Sequence, residues 1–440
     1  MVDTKRVTRS SAVLITTIFA LALPGVASAG GMFGTYPLNI SVTPSGGVAN
    51  GASSAPAVSG DNRKTRYAAF QSDASNLVGG DSNGVTDIFL WSRPKGHQGL
   101  SLPKGSGSLQ RVSVTSSGAE ANGASRNPSL DGSNSALPHC VAFESDASNL
   151  AAGDSDTTTD IVVRDLRSGK TTLVSRGISA PASDPSISGN CARVAFVAGG
   201  KVLDASVKTG KSKVLGAGSN PDYALDGRAV AWEQGSQVAF VRDGKKSIVG
   251  PGSNPTVTDA ERLHNMTVPN WGVSFESPAK LSGKDGNPGV DTYLRVYGPK
   301  GGPKRTDLIT FAQPKVHFAP AGDNRNGGIT AYGTNRGILT YVHSDDTATD
   351  AYYWNQHTGN ADDIAHAPTL NGEPGITQMV TSARANFVAF TSAFTGDMAL
   401  PFTGIGRGRG RLPVPLPTLD DLFAPAQSVY FKMLVDGEAI

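Results

Sequence analysis

Charged residues make up only 17% of the 440 residues and apolar residues 38%, and both shares are below those of a usual globular chain. No long segment repeats its apolar residues with the helical period, so we expect very little helix. The chain has no Gly-X-Y period, which excludes collagen, and its apolar residues recur in short bursts, which argues against wholesale disorder. Its 53 glycines and 27 prolines favour many short strands separated by turns.

The sequence also lacks the common signatures of cofactor and metal sites. It has no Gly-Lys-Ser/Thr phosphate loop and no Cys-x-x-Cys pair, and no two of its seven histidines share a metal-ligand spacing such as His-x-x-x-His. The segment GDSNG at residues 80–84 matches the Gly-x-Ser-x-Gly nucleophile pattern. That pattern requires a strand before it and a helix after it, whereas here it lies in a polar loop. We therefore predict no catalytic residue, no cofactor and no metal ligand.

Residues 1–29 are predicted to be a signal peptide. Three basic residues precede an apolar stretch over residues 12–23, and Ala27-Ser28-Ala29 is a small-residue cleavage pattern. The apolar stretch is too short to span a bilayer, and an uncleaved anchor is the alternative interpretation. No later stretch is long enough to cross a membrane. We therefore expect a secreted or periplasmic protein.

Removal of the signal peptide makes the chain nearly neutral. Lys+Arg falls from 39 to 36 and Asp+Glu from 37 to 36. A neutral chain argues against a general polyanion-binding surface, so we predict no nucleic-acid partner.

The mature chain has two cysteines, Cys140 and Cys191. Each lies directly before or at the start of the same kind of apolar strand in two consecutive repeats. A disulfide between neighbouring units is therefore possible in an exported protein. The alternative is two buried free thiols, which behave as small apolar side chains.

Internal repeats decide the predicted architecture. The segment FQSDASNLVGGDSNGVTDIF at residues 70–89 and the segment FESDASNLAAGDSDTTTDIV at residues 143–162 are identical at 13 of 20 positions. Each repeat has a proline-containing turn, an apolar strand ending in an aromatic residue, a polar loop, a strand that often opens with Asp, and a last strand after a Gly turn. This repeated order of elements predicts an all-β chain built from four-stranded units.

The repeats predict a single closed β-propeller over residues 37–435. Seven blades fit the sequence best, with six as the second choice and an array of β-sandwich domains as the structural alternative. The last unit lacks an outer strand, and a spare strand over residues 38–43 would complete it and close the ring. Residues 393–426, rich in Pro, Gly and Arg, are predicted to be a loop insertion in the last unit.

The two segments that match at 13 positions resemble the repeats of TolB-like, WD-repeat-like β-propellers of exported bacterial proteins. The match is specific over about a quarter of the chain and becomes a pattern of anchor residues after Phe196. The resemblance implies a six- or seven-bladed propeller. It does not imply the partners of TolB, because this chain has no room for the small α/β domain that precedes the TolB propeller.

Three polar loops could hold calcium. Oxygen-bearing side chains recur with the same spacing in residues 81–87, 154–160 and 285–291, and Ca²⁺ prefers six to eight oxygen ligands. The Glu that completes an EF-hand loop is absent, and Asp and Asn also stabilise turns through their own backbone. We expect structural turns, with calcium as the alternative.

The combined features favour a non-enzymatic propeller that serves as an interaction or ligand-binding platform at the cell envelope or outside the cell. Its partner would be a protein or an envelope ligand, and we expect a monomer. The alternative is a propeller-type hydrolase or lyase that acts on glycans or peptides, with its active site at the central channel.

Overall fold

The structure is a computed structural model. It describes residues 38–60, 66–94, 106–133, 136–257, 271–283, 285, 289–298, 302–308, 323–329, 338–344, 348–355, 360–368, 376–381, 387–392 and 427–433. Within these ranges the regular secondary structure is β-strand without helix. No helix of the described part of the chain could cross a membrane. The predicted signal peptide and the predicted insertion at 393–426 lie outside the described residues.

Twenty-eight strands in the described ranges form seven four-stranded sheets. The strand β1 (Leu38–Asn39) opens the described chain and belongs to the last sheet. The first sheet in chain order contains β2 (Ser53–Val58), β3 (Tyr67–Ser72), β4 (Asp87–Ser92) and β5 (Ser108–Arg111). The second contains β6 (Ser125–Leu130), β7 (Cys140–Ser145), β8 (Asp160–Asp165) and β9 (Thr171–Leu173). The third contains β10 (Ala182–Ile187), β11 (Arg193–Ala198), β12 (Lys201–Ser206) and β13 (Ser212–Ala217).

The remaining sheets follow the same order. The fourth contains β14 (Ser219–Tyr223), β15 (Ala229–Gln234), β16 (Gln237–Arg242) and β17 (Lys245–Pro251). The fifth contains β18 (Ser253–Val257), β19 (Trp271–Ser277), β20 (Asp291–Tyr297) and β21 (Pro303–Leu308). The sixth contains β22 (Asp323–Ile329), β23 (Ile338–Ser344), β24 (Ala348–Asn355) and β25 (Asn360–Pro368). The seventh contains β26 (Ile376–Thr381), β27 (Phe387–Ser392), β28 (Ser428–Met433) and β1.

Every sheet is an antiparallel meander, and the first strand of each sheet contacts the first strand of the next. The strand β26 of the seventh sheet also contacts β2 of the first. Radial repetition of such sheets around their first strands is the architecture of a β-propeller. The predicted all-β propeller is confirmed at this level.

The second strands contribute large side chains to the core. In six sheets the aromatic residue that the repeats predicted lies two positions before the end of this strand and is fully buried: Phe70, Phe143, Phe196, Trp232, Phe275 and Phe390. These rings pack between adjacent sheets, as Phe143 does against Ile88 and Leu90 of the first sheet. Strands such as β4 and β7 are buried at nearly every position, so both faces of a sheet pack against neighbouring sheets.

The strand β1 is shorter than the predicted residues 38–43. Leu38 pairs with Phe431, and Asn39 pairs with Tyr430. The chain then turns, because the N–H of Gly46 donates to the carbonyl of Thr43 at 2.8 Å. The first and last described strands of the chain thus share one sheet.

The proline-containing segments are not the turns that the sequence predicted. They lie inside the first strand of five sheets, where the pairing register shifts by one residue. The residue before each proline has a left-handed backbone: Ala55, Asn127, Asp184, Asn220 and Asn254, with φ between 46° and 53°. Each segment is therefore a β-bulge, a distortion that re-aims backbone groups within a strand.

A disulfide joins Cys140 at the start of β7 to Cys191 in the turn between β10 and β11. The Cα atoms are 5.9 Å apart. The bond connects the second sheet to the third, as the possible disulfide between neighbouring units required.

Candidate functional site

Four of the five bulges line the candidate site, which lies where the first strands of neighbouring sheets meet. A cavity of about 290 Å³ lies there. Its walls come from the bulges of four sheets and from residues 378–380 of β26. Pro56, Pro128, Pro185 and Pro221 give it apolar faces, and Asp184 is the charged residue in this lining. Such a concave site with apolar walls and a few polar groups is a common form of ligand site.

Side chains of the preceding sheet hold the bulges in place. The N–H of Asn127 donates to Gln71 Oε1 at 2.9 Å, and the N–H of Asp184 donates to Glu144 Oε1 at 2.7 Å. The same contact joins Asn254 to Glu233 at 2.8 Å and Ala55 to Gln378 at 2.7 Å. These bonds satisfy N–H groups that the bulge removes from the strand ladder.

The third sheet uses a different acceptor for the same purpose. Its β11 carries the apolar Val197 at the position that Gln71 and Glu144 occupy in β3 and β7. The N–H of Asn220 donates instead to the carboxylate of Asp184. One side chain therefore both lines the cavity and fixes the next bulge.

Two carboxylates on second strands are buried, whereas Asp184 in the cavity lining is partly exposed. Glu144 is 4% exposed and Glu276 is 1% exposed. Burial raises the pKa of Glu144, while hydrogen bonds from the Asn127 side chain and the Asp184 N–H partly offset the rise. Burial also raises the pKa of Asp184, against the hydrogen bond from Asn220. The acidic character of this end of the channel suits a cationic or hydrogen-bond-donating group.

A second set of hydrogen bonds between neighbouring sheets lies beyond the bulges, towards the ends of the first strands. The N–H of Ile187 donates to Ser129 Oγ at 3.1 Å, and the N–H of Tyr223 donates to Ser186 Oγ at 2.8 Å. At the next position Asp222 replaces the serine, and its Oδ2 accepts from the N–H of Val257 at 2.6 Å. Desolvation raises the pKa of Asp222 to about 7. This group therefore titrates near neutrality in the folded protein.

The first polar loop holds a guanidinium group. Arg111 lies 2.9 Å from Asp81 Oδ1, 3.2 Å from Asp87 Oδ2 and 2.7 Å from Glu120 Oε1. Ser82, the central residue of the Gly-x-Ser-x-Gly match, donates its hydroxyl to Glu120 Oε2 at 2.6 Å. Hydrogen bonds from Ser82 lower the pKa of Glu120 to about 2. In the described residues Ser82 thus supports an ion-pair network.

The second polar loop has no such guanidinium at the matching position. Leu173 pairs with Val162 as Arg111 pairs with Phe89, so Leu173 takes the place of the arginine. Carboxylate oxygens of residues 154, 156 and 160 lie within 4.8 Å of one another. Burial, and the charges of the neighbouring carboxylates, raise the pKa of Asp154. Of the three loops, this one keeps calcium as the alternative to a structural turn.

The third loop is only partly described, because residues 284 and 286–288 lie outside the described residues. Asp285 accepts a hydrogen bond from the Tyr293 hydroxyl at 2.5 Å. Tyr293 is fully buried, so this bond anchors the loop to the core of the fifth sheet.

The side chains that fix the bulges were missed from the sequence. The available signal was the residue that follows the recurring aromatic position of the repeat, which is Gln71 after Phe70 and Glu144 after Phe143. A Gln or Glu near the end of an apolar strand is expected to face solvent when the next blade is not considered.

Solved structures similar to this chain include propellers of different activities. TolB from Acinetobacter baumannii has 11% sequence identity and a TM-score of 0.36, covering 65% of this chain and 61% of TolB. The β-propeller domain of Cps50 (Swd1) from Myceliophteria thermophila has 11% identity and a TM-score of 0.44, covering 78% and 94%. An oligogalacturonate lyase in complex with manganese has 10% identity and a TM-score of 0.38, covering 68% and 86%.

The matched part of this chain thus spans less than two thirds of that TolB. TolB structures and a β-propeller domain are among the similar structures, as the repeats predicted, while the fold itself rests on the strand pairing. No protein-family model matches the chain, and no curated protein matches it.

Proposed function

We propose that the chain is an exported, non-enzymatic binding protein whose channel cavity receives a cationic group of a protein or envelope ligand. The observation that carries this proposal is the chemistry of the cavity wall. Asp184 is the charged residue in the described lining, and the buried Glu144 accepts a hydrogen bond from its backbone. The prolines beside it provide apolar faces for the stem of a Lys or Arg side chain.

The hydrogen bonds that these carboxylates make to the backbone support binding over catalysis. Glu144, Asp184 and Glu233 each accept a hydrogen bond from a backbone N–H of the following sheet. A carboxylate that accepts such a hydrogen bond is held in one orientation, which suits recognition of a fixed charge on a ligand. A general acid or base must instead exchange its proton with the substrate.

We further infer a closed ring of seven blades. The pairing of β1 with β28 and the contact of β26 with β2 support it, since both join the two ends of the described chain. Closure leaves no blade edge bare and gives the cavity a continuous wall. The export signal at residues 1–29 supports a periplasmic or secreted location, and a single chain would be sufficient for the site.

The pull-down that tests the proposal compares the mature wild-type protein with the Asp184→Asn variant as baits in envelope extract. Asparagine keeps an oxygen for the Asn220 N–H but removes the negative charge. We expect a partner that the wild type captures and the variant loses, with capture weakened by salt. Asp243→Asn, a change at a half-exposed carboxylate on the fourth sheet, is the matched control and should capture the partner normally.

One observation favours the enzymatic alternative. Burial raises the pKa of both Glu144 and Asp184, and a carboxyl with a raised pKa is the kind of acid that glycan-cleaving enzymes use. A screen with peptide and glycan substrates tests this alternative. Turnover that disappears in Glu144→Gln or Asp184→Asn would establish an enzyme and overturn the binding proposal.

A further inference from the structure

The disulfide belongs to a cluster of four potential metal ligands at the boundary between the second and third sheets. One ligand atom from each of Asp131, His139, Cys140 and Cys191 lies within 4.8 Å of the other three. Asp131 follows β6, His139 lies directly before β7, Cys140 begins β7, and Cys191 lies in the turn between β10 and β11 of the third sheet. Three segments of chain thus converge on one point outside the channel cavity.

Both carboxylate oxygens of Asp131 have neighbours in this cluster. Its side chain is fully buried, and its Oδ1 accepts hydrogen bonds from the N–H groups of His139 at 2.7 Å and Cys140 at 2.8 Å. Its Oδ2 accepts no hydrogen bond and lies 3.1 Å from His139 Nδ1. A structural disulfide would explain the two sulfurs. It does not account for the buried carboxylate of Asp131 and the imidazole of His139, which face each other beside the two sulfurs.

Two thiolates, an imidazole and a carboxylate are a ligand set that suits Zn²⁺. Zinc takes Cys sulfur at about 2.3 Å and His nitrogen or carboxylate oxygen at about 2.0–2.2 Å in tetrahedral sites, which places ligand atoms about 3.3–3.8 Å apart. All ligand-atom separations in the cluster are below 4.8 Å, and the two bonded sulfurs would have to move apart to reach the spacing of a tetrahedral site. Cys140 lies on a strand, whereas Cys191 lies in a partly exposed turn, so the turn is the element able to adjust.

We propose that Asp131, His139, Cys140 and Cys191 form a redox-controlled zinc site. In oxidising surroundings the two sulfurs are bonded to each other. A dithiol reductant transfers two electrons and two protons to this bond, which breaks, and the sulfurs of the reductant form a disulfide in its place. Zn²⁺ then binds the two sulfurs with Asp131 and His139, and the two thiol protons are released. The site replaces one covalent link between two sheets with another.

The test uses the whole mature protein in two forms, oxidised and reduced with dithiothreitol, the latter desalted without oxygen. Co²⁺ serves as the spectroscopic probe, and Zn²⁺ is then added to displace it. We expect the reduced form to bind one Co²⁺ per chain, with thiolate-to-cobalt charge-transfer absorption and intense tetrahedral bands. The oxidised form should show neither.

Variants separate the proposed ligands from other metal-binding groups. His139→Gln and Asp131→Asn should each weaken Co²⁺ binding to the reduced form by at least about tenfold, and Cys140→Ser should abolish the charge-transfer band. Asp156→Asn, in the second polar loop, is the control and should bind Co²⁺ as the wild type does. For each variant that keeps both cysteines, the melting temperature and circular dichroism of the oxidised form show whether it is folded. If Asp131→Asn is not folded, His139→Gln alone tests the proposal, because His139 is partly exposed.

Three results would overturn the proposal. The reduced protein could bind no Co²⁺, or it could bind without a charge-transfer band. Wild-type affinity in a folded His139→Gln variant would likewise exclude the site. None of these results bears on the channel cavity, so the proposed function stands or falls separately.

Discussion

Shortening Ile40 to alanine should destabilise the contact between the two ends of the chain. Ile40 is 1% exposed and lies in one core cluster with Phe70 of the first sheet and Val429 of the last. Its N–H also donates to the carbonyl of Val429 at 3.0 Å. Truncation of a buried isoleucine to alanine costs about 2–5 kcal/mol, which is a large part of the 5–15 kcal/mol that typically stabilises a folded domain.

Deletion of residues 38–43 should have a larger effect. It removes the buried side chains of Leu38, Ile40 and Val42, each of which contributes about 1.5–3 kcal/mol by burial, and these values are upper estimates because an unfolded chain is partly compact. It also leaves the backbone of β28 as a bare sheet edge, which promotes association. Urea unfolding, limited proteolysis near Val429 and light scattering measure these effects.

Val48→Ala is the matched control for the point variant, because Val48 lies on the same segment and is 37% exposed. It should change the free energy of unfolding by less than about 0.5 kcal/mol. The reasoning is refuted if the deleted chain stays monomeric with an unchanged melting temperature. The N-terminal strand would then contribute nothing to the last sheet.

Three further predictions concern the acidic groups. The pKa of Asp222 in the folded protein, about 7, is above its ordinary value of 3.8, so its contribution to the free energy of unfolding should be most favourable below about pH 4 and decline as the pH rises to about 7. In urea unfolding, Asp222→Asn should reduce this pH-dependent loss of stability by about 1–3 kcal/mol. An unchanged pH profile in the variant would contradict this. A structural turn at the second polar loop predicts that neither calcium nor a chelator changes the melting temperature. A calcium-dependent rise that disappears in Leu173→Arg, which copies Arg111, would contradict this and support the metal site. Glu144→Ala should lower the free energy of unfolding by about 1–3 kcal/mol because it leaves the Asp184 N–H without its acceptor, and Glu144→Gln should retain most of that stability; equal losses in the two variants would contradict this role.

The sequence was sufficient to predict the fold because the repeat fixes both the strand order and the buried face. Asp87, Asp160 and Asp291 each begin the third strand of a sheet, as their spacing predicted. In six sheets the aromatic residue two positions before the end of the second strand lies in the core, as Phe70 does. Both features recur at fixed positions in short stretches of chain, where strand periodicity is readable without knowledge of the neighbouring blade.

The site was harder to predict because its contacts cross between blades. A proline after Asn or Asp indicates a turn when only neighbouring residues are considered. The bulge at Asn127 forms because Gln71, 56 residues earlier, accepts its N–H. Arg111 likewise lies 30 residues from Asp81, so its ion pair could not be read from the loop alone. The predicted domain limits of 37–435 and the predicted signal peptide stay predictions.

The most direct test of the proposed function is the affinity of the captured ligand for the wild type and for Asp184→Asn, measured over a range of salt concentrations and together with an assay for ligand turnover. The account predicts binding without turnover, an affinity at least about tenfold lower for the variant, and a salt dependence that the variant largely loses. Equal affinities with equal salt dependence would show that the ligand binds elsewhere. Conversion of the ligand to product by the wild type would show that the protein is an enzyme.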